Sequence, residues 1–395
     1  MKTFSLRALA LVLLLPTGAP AQQQQRQQPP RVPSEPDPFA AAPAAKAQQA
    51  QQNGVPAEPD PFAAPAGSGA QPAKPRQAPK VEIDETTPPG AGEFVRYLDG
   101  AEQQRLQTGV VRYTKDGRIV DLVGAVHLGD PAYFDALEAQ LAQYEAVLYE
   151  MVGGPFPTRD LKAADPEIAQ VRMIHNLLDK VLGMEYQTEA IDYDRPNFIH
   201  ADIDWTQYRD LMDTRGQSLA TLFERAMKAV ESGEGPAILT DEAAANDMLQ
   251  TLMSGLTSGN PAQLKRAMAP FLGESESLIA HIEGDDGTVL VTERNKVVMT
   301  ILDREMAKGR KNLGIFYGAG HLPDLEKRLV ELGYKRGDGA WLTAWDIRDP
   351  QPGEKGGANL WQTLFGDQET LNSLIQGAQE MLRQLNEAGT QGKEN

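Results

Sequence analysis

Two segments far apart in the chain follow one design: an apolar run of β-forming residues, then a glycine, two small or apolar residues, a histidine, and a helix-start signal. The first is Ile119-Val120-Asp121-Leu122-Val123 running into Gly124-Ala125-Val126-His127-Leu128-Gly129-Asp130. The second is Leu313-Gly314-Ile315-Phe316-Tyr317 running into Gly318-Ala319-Gly320-His321-Leu322-Pro323-Asp324. Behind the first, Asp130-Pro131 supplies an N-cap and an N1 proline, and Phe134, Leu137, Leu141 and Tyr144 recur at helical spacing. Behind the second, Leu325, Leu329 and Leu332 mark a helix. A short apolar run giving way to helical periodicity is a strand–turn–helix unit, and two of them commit the fold to a mixed class. Each imidazole then sits just past the carboxyl end of a strand, where open sheets gather their ligands. Each preceding glycine lets another backbone or a bound group approach closely.

The segments between these units fill in an α+β (mixed α/β) domain over 92–350, interrupted by a mainly helical insert at about 160–285. Phe94 to Tyr97, Val110 to Tyr113 and Ile119 to Val123 read as strands, with Asp116-Gly117 as a hairpin turn. Ala146 to Tyr149 reads as a short buried strand, and Thr288 to Val291 as a strand candidate. Helices are predicted from Asp165 to Leu182, from Trp205 to Val230, Asp241 to Leu256, Pro261 to Phe271 and Arg294 to Ala307. Trp341 to Ile347 reads as a terminal strand, and 351–395 as an amphipathic helix and tail through Leu371, Leu374, Ile375, Ala378 and Leu382.

The amino terminus has the pattern of a secretory signal. Lys2 and Arg7 precede the apolar run Ala8 to Leu15, and Ala19-Pro20-Ala21 fits a cleavage site, giving a signal peptide over 1–21 and a periplasmic or secreted location. The apolar run is too short for a spanning helix, so no stable membrane anchor is expected after cleavage. Residues 22–91 are Gln, Pro and Ala with few aliphatic side chains, a composition that reads as a disordered tether. Glu-Pro-Asp-Pro-Phe-Ala-Ala occurs there twice, from Glu35 and from Glu58. With no cysteine, disulfides, thiolate ligands and cysteine nucleophiles are excluded. A formal net charge of -17 argues against nucleic acid as a partner.

Glu150 ends the run Ala146-Val147-Leu148-Tyr149 and places a carboxylate at the exit of a neighbouring strand. Two imidazoles and one carboxylate, here His127, His321 and Glu150, are a usual ligand set for a divalent ion with open positions. The plainer reading makes them loop histidines bonded to local backbone and a solvated strand-end glutamate; the repeated Gly-x-x-His context favours function. His200-Ala201-Asp202 forms a weaker polar cluster that either lines the cleft or caps a turn.

Gly-x-x-His after a strand, Tyr149-Glu150-Met151, Glu293-Arg294-Asn295 and a second Gly-x-x-His before a helix together resemble the TraB/PrgY/GumN family, to which the animal Tiki proteins belong. The resemblance spans about Phe94 to Ile347. It implies a metal-dependent, peptidase-like site with His127, His321 and Glu150 essential and manganese or cobalt as the usual metals; iron and zinc suit the same donors. Arg294 and Asn295 carry over as accessory catalytic residues, Arg294 to stabilise an oxyanion or grip a carboxylate and Asn295 to orient a ligand; the competing reading has Arg294 cap or pair on the helix surface. The expected substrate is a peptide or related small carbonyl compound. Two other readings stand beside the hydrolase: a non-catalytic protein sequestering a peptide signal or haem, and an envelope scaffold acting through its tether and carboxyl-terminal helix.

Overall fold

The computed structural model describes residues 83–84, 87–100, 104–154, 182–258 and 260–349. The signal segment, most of the tether, the helix expected to open at Asp165 and the expected carboxyl-terminal helix lie outside them.

The chain enters through β1 (Ile83–Asp84), β2 (Val95–Asp99), β3 (Gln104–Lys115) and β4 (Arg118–Ala125). Between β3 and β4 the hairpin turns through Asp116 at φ 49 and Gly117 at φ 72, the left-handed pair that an Asp-Gly turn requires. After β5 (Leu128–Gly129), helix α1 (Pro131–Leu141) starts at its N1 proline as the sequence reads. Asp130 does not cap it with its side chain. Its carboxylate instead accepts from buried Lys265 Nζ at 2.5 Å and from Asp346 N at 2.7 Å, because a buried ammonium needs a counter-charge. Then follow β6 (Ala146–Tyr149), β7 (Glu185–Tyr186), α2 (Gln187–Ala190) and β8 (Phe198–His200).

Helices occupy the next stretch: α3 (Trp205–Thr214), α4 (Leu219–Glu231), α5 (Ala237–Thr240), α6 (Glu242–Ser258), α7 (Pro261–Gly273) and α8 (Ser275–Glu283). The single helix read from Trp205 to Val230 is two, because Ser218 starts a new capping box. Helix α9 (Arg294–Ala307), β9 (Asn312–Gly318), α10 (Leu322–Glu331) and β10 (Lys335–Asp346) complete the described chain.

The main sheet has the order β1-β10-β3-β4-β9-β6-β8, with β2 also pairing with β3. Its β1, β10, β3 and β4 run antiparallel to their neighbours, whereas β4, β9, β6 and β8 are mutually parallel. The parallel strands are buried almost throughout, as Val120, Leu122, Val147, Leu148, Leu313, Ile315 and Phe316 show. Helix α10 packs on β4 and β10, α9 on β6, and α7 on β2 and β3.

Two expectations are corrected. The ordered sheet begins inside the expected tether: Ile83 pairs with Leu342 and Asp84 with Trp341, and Trp341 Nε1 donates to Thr87 O. The mainly helical insert also contributes β8, a fourth parallel strand. And Thr288 to Val291 is no strand. Val289–Glu293 form a π-helical turn leading directly into α9, with Thr288 Oγ1 accepting from Leu290 N. Short apolar runs fit either structure by pattern, and here the helix that follows decides.

Candidate active site

The four parallel strands end side by side. In register Ala125 lies opposite Gly318, Phe316 opposite Tyr149, and Tyr149 opposite His200. The residues just beyond these ends therefore gather at one edge: His127 after β4, His321 after β9, Glu150 after β6, and Ala201-Asp202 after β8. Helix α9 delivers Arg294 and Asn295 to the same place.

Arg294 is the centre of the cluster. Only 2% exposed, it donates from Nε to Asp202 Oδ1 at 2.9 Å and from Nη2 to Asp202 Oδ2 and Glu150 Oε1, both at 2.6 Å. Its Nη1 donates to Leu290 O at 3.1 Å and to His321 Nε2 at 3.2 Å. The π-helical turn supplies that Leu290 carbonyl. All five N–H groups of the guanidinium thus have partners inside the protein. Placed so, Arg294 organises the cluster around it.

Glu150 also accepts from Gly318 N at 2.7 Å through Oε2. Burial opposes its charge, but Arg294 first, then His321, His127 and the Gly318 amide outweigh it and hold the carboxyl well below the usual range. Burial likewise opposes the charge on Arg294, and Glu150 and Asp202 reverse it, pushing the guanidinium above its ordinary value. Glu150 is therefore ionised at any physiological pH. His321 goes the other way. Burial, opposed by Glu150 and reinforced by Arg294, lowers its pKa to about 4, so it is neutral at pH 7.

Both glycines of the repeated motif have a structural use. A Cβ on Gly318 would stand 3.2 Å from Glu150 Oε2, and one on Gly124 would stand 3.0 Å from the backbone oxygen of Gly109. The second unit thereby admits a carboxylate, and the first a neighbouring strand.

The imidazoles are held alike. His321 is buried; its Nδ1 lies 2.9 Å from Asn295 Oδ1, while Asn295 Nδ2 donates to His321 O at 3.0 Å and to Asp324 Oδ2 at 2.8 Å. Those two partners only accept, so the amide oxygen must face the ring and Nδ1 must carry the proton. His127 is exposed, and its Nδ1 lies 3.2 Å from Gln187 Oε1. It follows the end of β4, beside the strand β9 that leads to His321.

Of the residues singled out from the sequence, Glu150, Arg294, Asn295 and His321 form one hydrogen-bonded unit, with His127 at its edge. Two members were weak or silent in the sequence. Asp202 was one side of an ordinary-looking polar cluster, and its signal was proximity to the edge strand β8, itself unread. Gln187 carried no signal. His200 Nε2 bonds Met151 O at 2.7 Å and His281 Nδ1 bonds Ser277 O at 2.8 Å; neither joins the unit.

The donor types suit a divalent ion, but the arrangement does not hold one. Arg294 stands against Glu150 Oε1 and His321 Nε2, the lone pairs that a metal would need. Among the described residues no three His, Asp or Glu side chains come together as a ligand group. The residues as placed therefore do not fit a metal, and the cation of the cluster is a guanidinium.

Comparison of the chain with protein-family models, with curated proteins and with solved structures gives no match.

Proposed function

We propose that the chain is an exported hydrolase of peptides or related carbonyl compounds, with its reaction centre at the carboxyl ends of β4, β9, β6 and β8. One observation carries this reading: a buried guanidinium is bound at once by Glu150, Asp202 and His321 where four parallel strands end. Removing two carboxylates and an arginine from water is expensive, and apolar residues of similar size stabilise a core as well or better. Such clusters concentrate at sites of chemistry, where fixed charges are oriented before the substrate arrives.

The roles divide by exposure and charge. His127 is accessible, and an imidazole is the side chain suited to take a proton from an attacking water near pH 7. Glu150, held ionised by Arg294, cannot donate a proton. Arg294 and Asp202 hold that carboxylate in place, and Asn295 fixes His321. Export rests on Lys2, Arg7, Ala8 to Leu15 and Ala19-Pro20-Ala21.

The test is a cleavage screen of the full chain against a peptide mixture, read by mass spectrometry, beside His127→Ala and Glu150→Gln. Elemental analysis of the same preparations, made without chelator, reports any bound manganese, cobalt, iron or zinc. Cleavage lost in both folded variants supports the reading. Ligand capture without turnover in all three moves it to a binding protein.

A further inference from the structure

The two Gly-x-x-His units are clamped by the same device. On His321, one amide residue, Asn295, meets both the ring Nδ1 and the backbone carbonyl of the same histidine. On His127, Gln187 does likewise: its backbone N–H donates to His127 O at 2.9 Å and its side-chain Oε1 faces His127 Nδ1 at 3.2 Å. The chain builds this second clamp from two-residue strands. β5 pairs with β7 with Leu128 opposite Tyr186, so the residue before β5, His127, and the residue after β7, Gln187, are brought side by side. Gln187 is only 4% exposed, although glutamine is a residue usually left in solvent. Its amide nitrogen donates to Tyr193 Oη at 2.9 Å, which turns the oxygen toward the imidazole.

We propose that Gln187, oriented by Tyr193, is the positioning residue of His127: it fixes the proton on Nδ1 and leaves Nε2 bare, matching what Asn295 does for His321. The hydrogen bond made by one ring nitrogen sets the state of the other. Both Gly-x-x-His units then carry an unprotonated Nε2; on His321 it accepts from Arg294 Nη1, and on His127 it is the proton or ligand acceptor. The use made of that acceptor rests on the hydrolase reading, but the protonation pattern does not.

The chain has five histidines, so long-range proton–nitrogen NMR of the histidine-labelled full chain, at a pH above 7, resolves each ring, and His127→Ala identifies the one of interest. The expected wild-type pattern is a protonated Nδ1 and a bare Nε2 on both His127 and His321. Gln187→Glu tests the clamp conservatively, because a carboxylate can only accept and must keep the proton on Nδ1. Its His127 signals should match the wild type. Gln187→Leu keeps the bulk and the main-chain bond but removes the acceptor; the His127 signals should move toward an averaged pair while those of His321 stay put. If Gln187→Leu does not fold, the wild-type comparison with Gln187→Glu still decides. A wild-type His127 protonated on Nε2, or one that changes in Gln187→Glu, overturns the proposal, as does an unmoved pattern in a folded Gln187→Leu. Loss of hydrolysis in the cleavage screen would leave this result untouched, so the two ideas fail separately.

Discussion

Replacing Arg294 by methionine removes the cation that bridges Glu150 and Asp202. The side chain of Asp202 is 0% exposed and that of Glu150 10%, so neither carboxylate can recover its hydration without opening the strand ends. Breaking a buried ion pair by deleting one partner costs about 3–5 kcal/mol, and here one deletion orphans two carboxylates, so the upper part of that range is expected. For a domain of this size each kcal/mol moves the melting temperature by about 2–4 °C, which gives a drop of roughly 8–20 °C at pH 7. The penalty should shrink in mild acid, where the orphaned groups take up protons. Neutralising all three in Arg294→Met/Glu150→Gln/Asp202→Asn should restore most of the stability, because no charge is then left uncompensated. It should restore no catalysis, since the charged Glu150 is gone. Urea unfolding followed by circular dichroism gives the free energies, and the cleavage screen the activity. An Arg294→Met protein within about 1 kcal/mol of wild type, or a triple variant no more stable than the single one, would refute the claim that the cluster is a closed, charge-balanced unit.

Other perturbations read different parts of the same design. His321, buried among Arg294, Glu150 and Asn295, has its pKa lowered from 6.5 to about 4, so the unfolded chain takes up its proton first. The stability it contributes is complete above pH 6.5 and lost as the pH falls toward 4, by about 3 kcal/mol in all, and His321→Asn should flatten the unfolding free energy over that window. Glu276, pushed up to about 8 chiefly by burial, has the opposite sign: its contribution is present below the ordinary carboxylate range and lost as pH rises through 8. Glu276→Gln should therefore be nearly neutral at pH 4 and increasingly stabilising as the pH is raised to 9; equal shifts at both would count against a buried, protonated carboxyl. Gly318→Ala drives a methyl against Glu150 Oε2, so it should impair cleavage, and an unchanged rate in a folded variant would count against the close fit of that carboxylate. Finally, Arg294→Met frees the lone pairs on Glu150 and His321, and calorimetric titration with manganese, cobalt, iron or zinc should show tighter binding than in wild type. Equal affinity would mean that the guanidinium does not occupy the place a metal would take.

The sequence by itself determined the local units. Asp116-Gly117 dictated a hairpin because an Asp-Gly pair takes two left-handed residues readily, and Pro131 fixed where α1 begins. Apolar runs passing into helical spacing gave β4, β9 and their helices, and the Gly-x-x-His repeat placed two imidazoles at strand ends. It also gathered Glu150, Arg294 and Asn295, although not what joins them. Local periodicity has range only within one element, so it could not say that β9 inserts between β4 and β6, or that β8 adds beside β6. Those pairings brought Asp202 to the guanidinium, and the β5–β7 bridge brought Gln187 to His127. Charge is likewise a tertiary property: whether Arg294 was a surface pair or a buried keystone depended on which carboxylates the folded sheet set around it. The strand ends were legible because they are written in neighbouring residues; the cluster was decided by desolvation and pairing across residues far apart in the chain.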